Sequence, residues 1–265
     1  MGAHHVLLAA REVLEEESSA IQAIATEAGL TIEPLPVPPD GMLTAEQLEA
    51  ITLVGSTPEL SGQTLDKKGV VADVVYTQIY RMPRLEFFSL PLVGTDWAFG
   101  AIPGLHDLHQ RGCVLSHAPG YNAIPVAQHA VAGLLALWAR FPTYLENQRQ
   151  RRWLNTTNDK KELGDQTAVV FGFGSIGREI GRLLRAVGLR VVGVRRSVQM
   201  EPEDEGCVDE IVPAAELQQA VRGADWLIVT VPHTPETDAS VNAQLIDAMP
   251  TGAGAKDALF GTIFT

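Results

Sequence analysis

The most constraining stretch of this chain is Thr167-Ala168-Val169-Val170-Phe171-Gly172-Phe173-Gly174-Ser175-Ile176-Gly177, an apolar run that breaks into a G-x-G-x-x-G turn. A run so short and so apolar reads as a strand buried in a parallel sheet. Behind the turn, Ile176, Ile180, Leu183, Leu184 and Val187 recur at helical spacing, and Gly188 is placed to end that helix. Arg190 to Val194 is a second apolar strand. Strand, glycine turn, helix and strand within about 30 residues make a βαβ unit, the context that gives a glycine pattern meaning.

Each glycine then has a physical task. Gly172 permits the tight turn, Gly174 lets the backbone approach a pyrophosphate, and Gly177 lets the helix pack closely on the strand. Beside them, Ser175 and Ile176 open the helix, where free N–H groups and the positive end of the dipole favour phosphate. These features predict a Rossmann-type dinucleotide site. An acidic residue about 20 positions on normally reads the ribose of NAD. Eighteen residues after Gly177 the chain has Arg195-Arg196-Ser197 instead. Two guanidinium groups can clamp a 2′-phosphate, which favours NADP(H) over NAD(H); the alternative is a pair of solvated arginines. Trp226 to Val231 reads as another buried strand, ending in Pro232-His233-Thr234-Pro235-Glu236-Thr237. Loops at the carboxyl ends of strands form the ligand crevice of such sheets. Val231, Pro232 and Thr237 are therefore expected beside the cofactor.

The first hundred residues also alternate strand and helix. His5 to Ala10 and Leu30 to Val37 read as strands around a helix from Glu15 to Ala28, with Pro34 to Pro39 breaking regular structure. Ile51 to Gly55, Val70 to Tyr76 and Leu85 to Leu90 read as further short strands or their flanks. Near Pro119 the pattern changes: Asn122 is a candidate N-cap for a long apolar helix, Val126 to Arg140, expected to be buried on most sides. Glu146 to Lys161 reads as a surface connection, and the run Arg149 to Arg152 as a solvated helix end. The expected fold is α/β: a doubly wound Rossmann-type sheet in 118–265 and a flavodoxin-like substrate domain in 1–117.

Composition narrows the partners. A formal charge of −12 disfavours nucleic acid and anionic membrane, and points to a small anionic ligand. No stretch approaches the ~20 apolar residues that span a bilayer. Two cysteines, Cys113 and Cys207, are too few for a disulfide framework, which suits a reducing cytoplasm. Histidines stand at 4, 5, 106, 109, 117, 129 and 233, with no metal-ligand spacing, so no metal is expected. Two other Rossmann chemistries lack their residues. None of Tyr76, Tyr80, Tyr121 or Tyr144 has a lysine four positions on, and Phe173 occupies the first position that G-x-S-x-G reserves for glycine.

With these residues in view, the chain resembles the D-isomer-specific 2-hydroxyacid dehydrogenase family, in detail over about Leu85 to Met249. Val231-Pro232-His233-Thr234-Pro235-Glu236-Thr237 is similar to its VPLTPET loop, and Asn242 to Met249 to the helix after it. Gly94-Thr95-Asp96 resembles the substrate loop whose backbone amides hold the carboxylate. Pro119-Gly120-Tyr121-Asn122-Ala123 with Val126-Ala127-Gln128-His129 resembles the interdomain helix. Arg195 and Arg196 are most similar to the NADPH-preferring glyoxylate and hydroxypyruvate reductase branch. The resemblance implies hydride transfer between NADPH and a small 2-keto or 2-hydroxy acid, substrate contacts from Val93, Gly94 and Asn122, and a homodimer joined through the cofactor domain.

The chain also departs from the family. Gln128 replaces a usual glutamate and Leu92 a usual glycine. The family's later Arg, Glu and His, which hold the carboxylate and transfer the proton, have no counterpart, since Gly254 to Thr265 does not resemble it. A truncated or frame-altered gene would give this pattern, and the competing expectation is a catalytically impaired nucleotide-binding remnant or partner subunit. His233, in the cofactor loop, is the candidate replacement acid; His129, on the apolar helix, reads as structural.

Overall fold

The computed structural model describes residues 3–55, 75–90, 98, 102–153 and 161–250. The chain divides into two units, Met1–Tyr121 and Asn122–Thr265.

The first unit is a parallel five-stranded sheet in the order β2-β1-β3-β4-β5, the flavodoxin-like arrangement. Its strands are β1 (His4–Ala9), β2 (Thr31–Pro36), β3 (Leu53–Gly55), β4 (Phe87–Leu90) and β5 (Val114–His117). Leu8, Val54 and Phe88 sit side by side in register and are fully buried. The Tyr76 ring meets Phe88 edge-on at 5.8 Å between centroids. The α-helices of this unit whose ends lie among the described residues are α1 (Arg11–Glu16), α2 (Ser18–Glu27), α3 (Ala45–Ala50) and α4 (Leu105–Gln110).

Three expectations for this unit are corrected. The helix expected over 15–28 is two helices broken at Glu17, where the Ser18 hydroxyl turns back to the Glu15 carbonyl. Pro34 lies inside β2 and Pro36 is its last residue, so the strand runs into the proline-rich stretch before it ends; an edge strand tolerates this because it needs no donor on its outer side. Val75 and Tyr76, the described end of the strand expected over 70–76, form a turn.

The second unit opens with α5 (Ala123–Trp138) and α6 (Phe141–Arg149) and carries a parallel sheet in the order β8-β7-β6-β9. Here β6 is Thr167–Phe171, β7 Arg190–Arg195, β8 Glu210–Pro213 and β9 Trp226–Val229, joined by α7 (Ser175–Ala186), α8 (Leu217–Ala220) and α9 (Ala243–Ala248). That strand order is the Rossmann one. Successive β6 side chains serve opposite layers, which is why the run is apolar throughout. Ala168 and Val170 join a core with α5 and α7, whereas Val169 and Phe171 join one with Leu217, Val221 and Leu245. At the end of α7, Gly188 takes φ +101°, and the bonds Gly188 N–H to Arg185 O and Leu189 N–H to Leu184 O complete a Schellman stop.

Two expectations differ here. Helix α5 buries a single stripe, Ala123, Ala127, Val131 and Leu134, while Ile124 and Leu137 stay exposed, and His129 is exposed too. Its N-cap is Asn122, but that side chain makes no capping bond. The stretch expected to be a plain connection begins inside α6, with Pro142 in the first turn, where a missing N–H costs nothing. Arg149 lies at the exposed end of that helix.

Candidate nucleotide site

The turn between β6 and α7 is locked by its glycines. Gly172 takes φ +103°, and a Cβ there would stand 2.5 Å from the Val231 nitrogen and 2.6 Å from the Thr230 carbonyl carbon. Gly177 is closed in differently: its Cβ would fall 2.5 Å from the Gly172 oxygen. Gly174 is the opposite case, since a Cβ there meets nothing within 4 Å. Thr230 carries no motif signal, yet its buried hydroxyl donates to the Gly172 oxygen at 2.7 Å and ties the turn to the end of β9.

Three amides open α7. Gly172 and Phe173 donate to Val194 O, and Gly174 donates to Gly172 O. The N–H groups of Ser175, Ile176 and Gly177 have no acceptor among the described residues, and no side chain caps the helix. Unsatisfied donors at a helix start, with open space over Gly174, make a fitting place for a phosphate group.

On one side of this turn lies the end of β7. The expectation that Arg195 and Arg196 converge as an equivalent pair is corrected. Arg195 is spent within the protein: its guanidinium forks onto Asp204 (Nη1 to Oδ1 3.1 Å, Nη2 to Oδ2 2.7 Å), Nε donates to Ser197 O at 2.7 Å, and Nη2 also donates to Gln199 O. Arg196 is exposed and makes no hydrogen bond or ion pair among the described residues. Asp204 has no exposed surface and also accepts from Arg178 Nε at 2.7 Å and from the Glu201 amide at 2.8 Å. Burial raises the Asp204 carboxyl, but the Glu201 amide and the two arginines outweigh it and hold the group below the usual aspartate range.

On the other side lies the loop after β9. Thr237 holds it together: its hydroxyl donates to Pro232 O at 2.5 Å and accepts from the Thr234 amide at 2.9 Å. Val231 is half-buried and Pro232 exposed. The exposed Glu236 carboxyl is lowered by its bond with Thr234, with the positive Arg196 contributing. His233 is largely exposed, with Nε2 3.4 Å from Asp238 Oδ1. Val93 and Gly94, with Thr95 and Asp96, lie outside the described residues.

A Rossmann sheet with an N–H-lined glycine turn at its carboxyl edge is the arrangement typical of nucleotide-binding α/β proteins, and the known proteins to which the chain is similar are of that kind. The family profile for the D-isomer specific 2-hydroxyacid dehydrogenase, NAD binding domain, matches residues 131–254, and over that stretch the chain is similar to that family. Hydroxypyruvate reductase of Blautia hydrogenotrophica is 25% identical over 190 residues, 68% of this chain and 58% of that protein. D-3-phosphoglycerate dehydrogenase of Archaeoglobus fulgidus is 28% identical over 154 residues, 58% of this chain and 28% of that protein. In fold, the chain is similar to an NADPH-dependent glyoxylate/hydroxypyruvate reductase from Sinorhizobium meliloti solved with NADP and sulfate. That match has a TM-score of 0.62 at 22% identity and covers 94% of this chain and 68% of that one. The chain spans between 24% and 58% of the length of these and other curated relatives. No single helix among the described residues is long and apolar enough to cross a membrane.

Proposed function

We propose that residues 122–265 hold NADPH, in preference to NADH, for hydride exchange with a small anionic 2-keto or 2-hydroxy acid of the glyoxylate or hydroxypyruvate class. The observation that carries this reading is the α7 start: three amides without an acceptor among the described residues, beneath the open face of Gly174. The pyrophosphate is assigned to Gly174 and to the amides of Ser175, Ile176 and Gly177. Gly172 shapes the turn, and Arg196 meets the 2′-phosphate at the end of β7. Val231 and Pro232 wall the site, in a loop that Thr237 keeps closed. When bound, the dinucleotide supplies or takes up the hydride. The carboxylate of the acid is assigned to the backbone at Val93 and Gly94 with Asn122, on the family resemblance.

Calorimetric titration tests the cofactor preference. The chain is expected to bind NADPH about tenfold more tightly than NADH, the worth of one charge-assisted contact. Arg196→Ala should remove that advantage and leave NADH affinity in place. Equal affinity of the unaltered protein for both cofactors would overturn the preference.

The exposed Ile124 and Leu137 on α5 support a second element of the proposal, pairing of two copies through this unit. Sedimentation of a double variant, Ile124→Glu with Leu137→Glu, should show a monomer where the unaltered chain shows a dimer. A dimer that persists in the variant would place the interface elsewhere.

A further inference from the structure

We propose that Asp204 is a positioning residue for cofactor choice: it anchors the loop after β7 so that Arg196 is presented to a 2′-phosphate. The inference rests on the NADPH reading above and adds the device behind it. The loop from Arg196 to Gln199 has no regular secondary structure of its own, and all four residues are exposed. What fixes it is Arg195, whose Nε and Nη2 hold the carbonyls of Ser197 and Gln199 from within.

Arg195 is itself oriented by Asp204, which receives its fork on both carboxylate oxygens. Asp204 is held in turn by Arg178 on α7, and Arg178 also reaches Glu201. The chain of contacts therefore runs from the helix that presents the phosphate-binding amides to the loop that carries Arg196. Two charges of each sign, on Arg178, Arg195, Glu201 and Asp204, offset one another. Arg196 is left as the positive side chain whose charge is directed outward. A loop ordered in advance loses less freedom when a ligand arrives, so the anchor raises affinity without touching the ligand.

The two arginines thus divide the work that a direct clamp would share. Arg195 builds the loop and Arg196 reads the ligand. The split falls at the end of β7: Arg195 is its last residue and is half-buried, whereas Arg196 stands at the bend that follows and is exposed.

The test uses two fragments of the cofactor as probes, adenosine 2′,5′-bisphosphate and 5′-AMP, titrated against the full chain. The unaltered protein should bind the bisphosphate more tightly, and Arg196→Gln should erase the difference. Asp204→Asn should cut the bisphosphate-to-AMP affinity ratio about tenfold, the worth of one charge-assisted contact, with 5′-AMP affinity nearly unchanged. A role confined to stability would weaken both probes together. A folded Asp204→Asn protein with an unchanged ratio would overturn the positioning role while leaving the NADPH reading standing. No preference in the unaltered protein would defeat that reading and this inference with it. If Asp204→Asn does not fold, Arg195→Gln cuts the same link from the loop side and is read by the same ratio.

Discussion

Replacing Gly172 with alanine is expected to unfold the nucleotide-binding unit, whereas the same change at Gly174 should leave it folded and disable it. The two glycines stand two residues apart in one motif, but they are glycine for different reasons. At Gly172 the backbone is at φ +103°, where a side chain is strained by about 1–3 kcal/mol. The new methyl would also press on the backbone of Thr230 and Val231, and such overpacking costs about 1–3 kcal/mol more. Together these amount to about 2–6 kcal/mol, enough to unfold a domain whose stability lies at the low end of the usual range of about 5–15 kcal/mol. Gly174 has φ −101° and ψ −152°, which any residue adopts, and its Cβ would point into open space. Thermal melting should therefore barely move for Gly174→Ala. Its cofactor affinity should fall roughly 10–100-fold, because a methyl that lifts the pyrophosphate from one amide removes a charge-assisted bond of about 1.5–3 kcal/mol. Two variants that melted alike, or a Gly174→Ala protein with full affinity, would contradict this division.

Much of this arrangement was legible in the sequence, for physical reasons. A strand buried on both faces must be apolar throughout, so β6 declared itself, and the glycines between β6 and α7 fixed where the crevice lies; β9, expected to be just as buried, is apolar but only half-buried within this chain. The resemblance to 2-hydroxyacid dehydrogenases followed from loops whose spacing is set by that crevice. What was not legible depends on contacts between distant residues. Asp204 sits in Glu201-Pro202-Glu203-Asp204-Glu205, a run whose composition suggests a solvated surface. It is nevertheless fully buried, because the fold brings Arg178 and Arg195 to it from 26 and 9 residues away. The neighbouring pair Arg195-Arg196 looked equivalent for the same reason, since chain order does not say which guanidinium turns inward. Helix α5 misled in the opposite direction. Its apolar composition gave it the capacity to be buried on most sides, and within this chain only one stripe is.

Removing the Asp204 carboxylate altogether is expected to destabilise the second unit strongly. Breaking one partner out of a buried ion pair typically costs about 3–5 kcal/mol, because the remaining charge keeps its desolvation without its counter-charge. Arg178 and Arg195 are 23% and 12% exposed, so water can partly take over. That places Asp204→Ala near the lower end, about 3 kcal/mol, or a fall in melting temperature of roughly 10 °C. The contribution must also depend on pH in a definite direction. The folded carboxyl lies below its unfolded value, so its stabilisation is complete above the unfolded value and is lost as pH falls through the folded one. The stability gap between the unaltered protein and Asp204→Ala should thus be constant from about pH 8 down to about pH 5 and close below about pH 4. Urea unfolding of both proteins across that range measures it. A gap that widened on acidification would mean that the carboxyl is raised in the folded state, with burial outweighing the arginines. A gap near zero at neutral pH would mean that Arg178 and Arg195 are as well hydrated without Asp204 as they are paired with it.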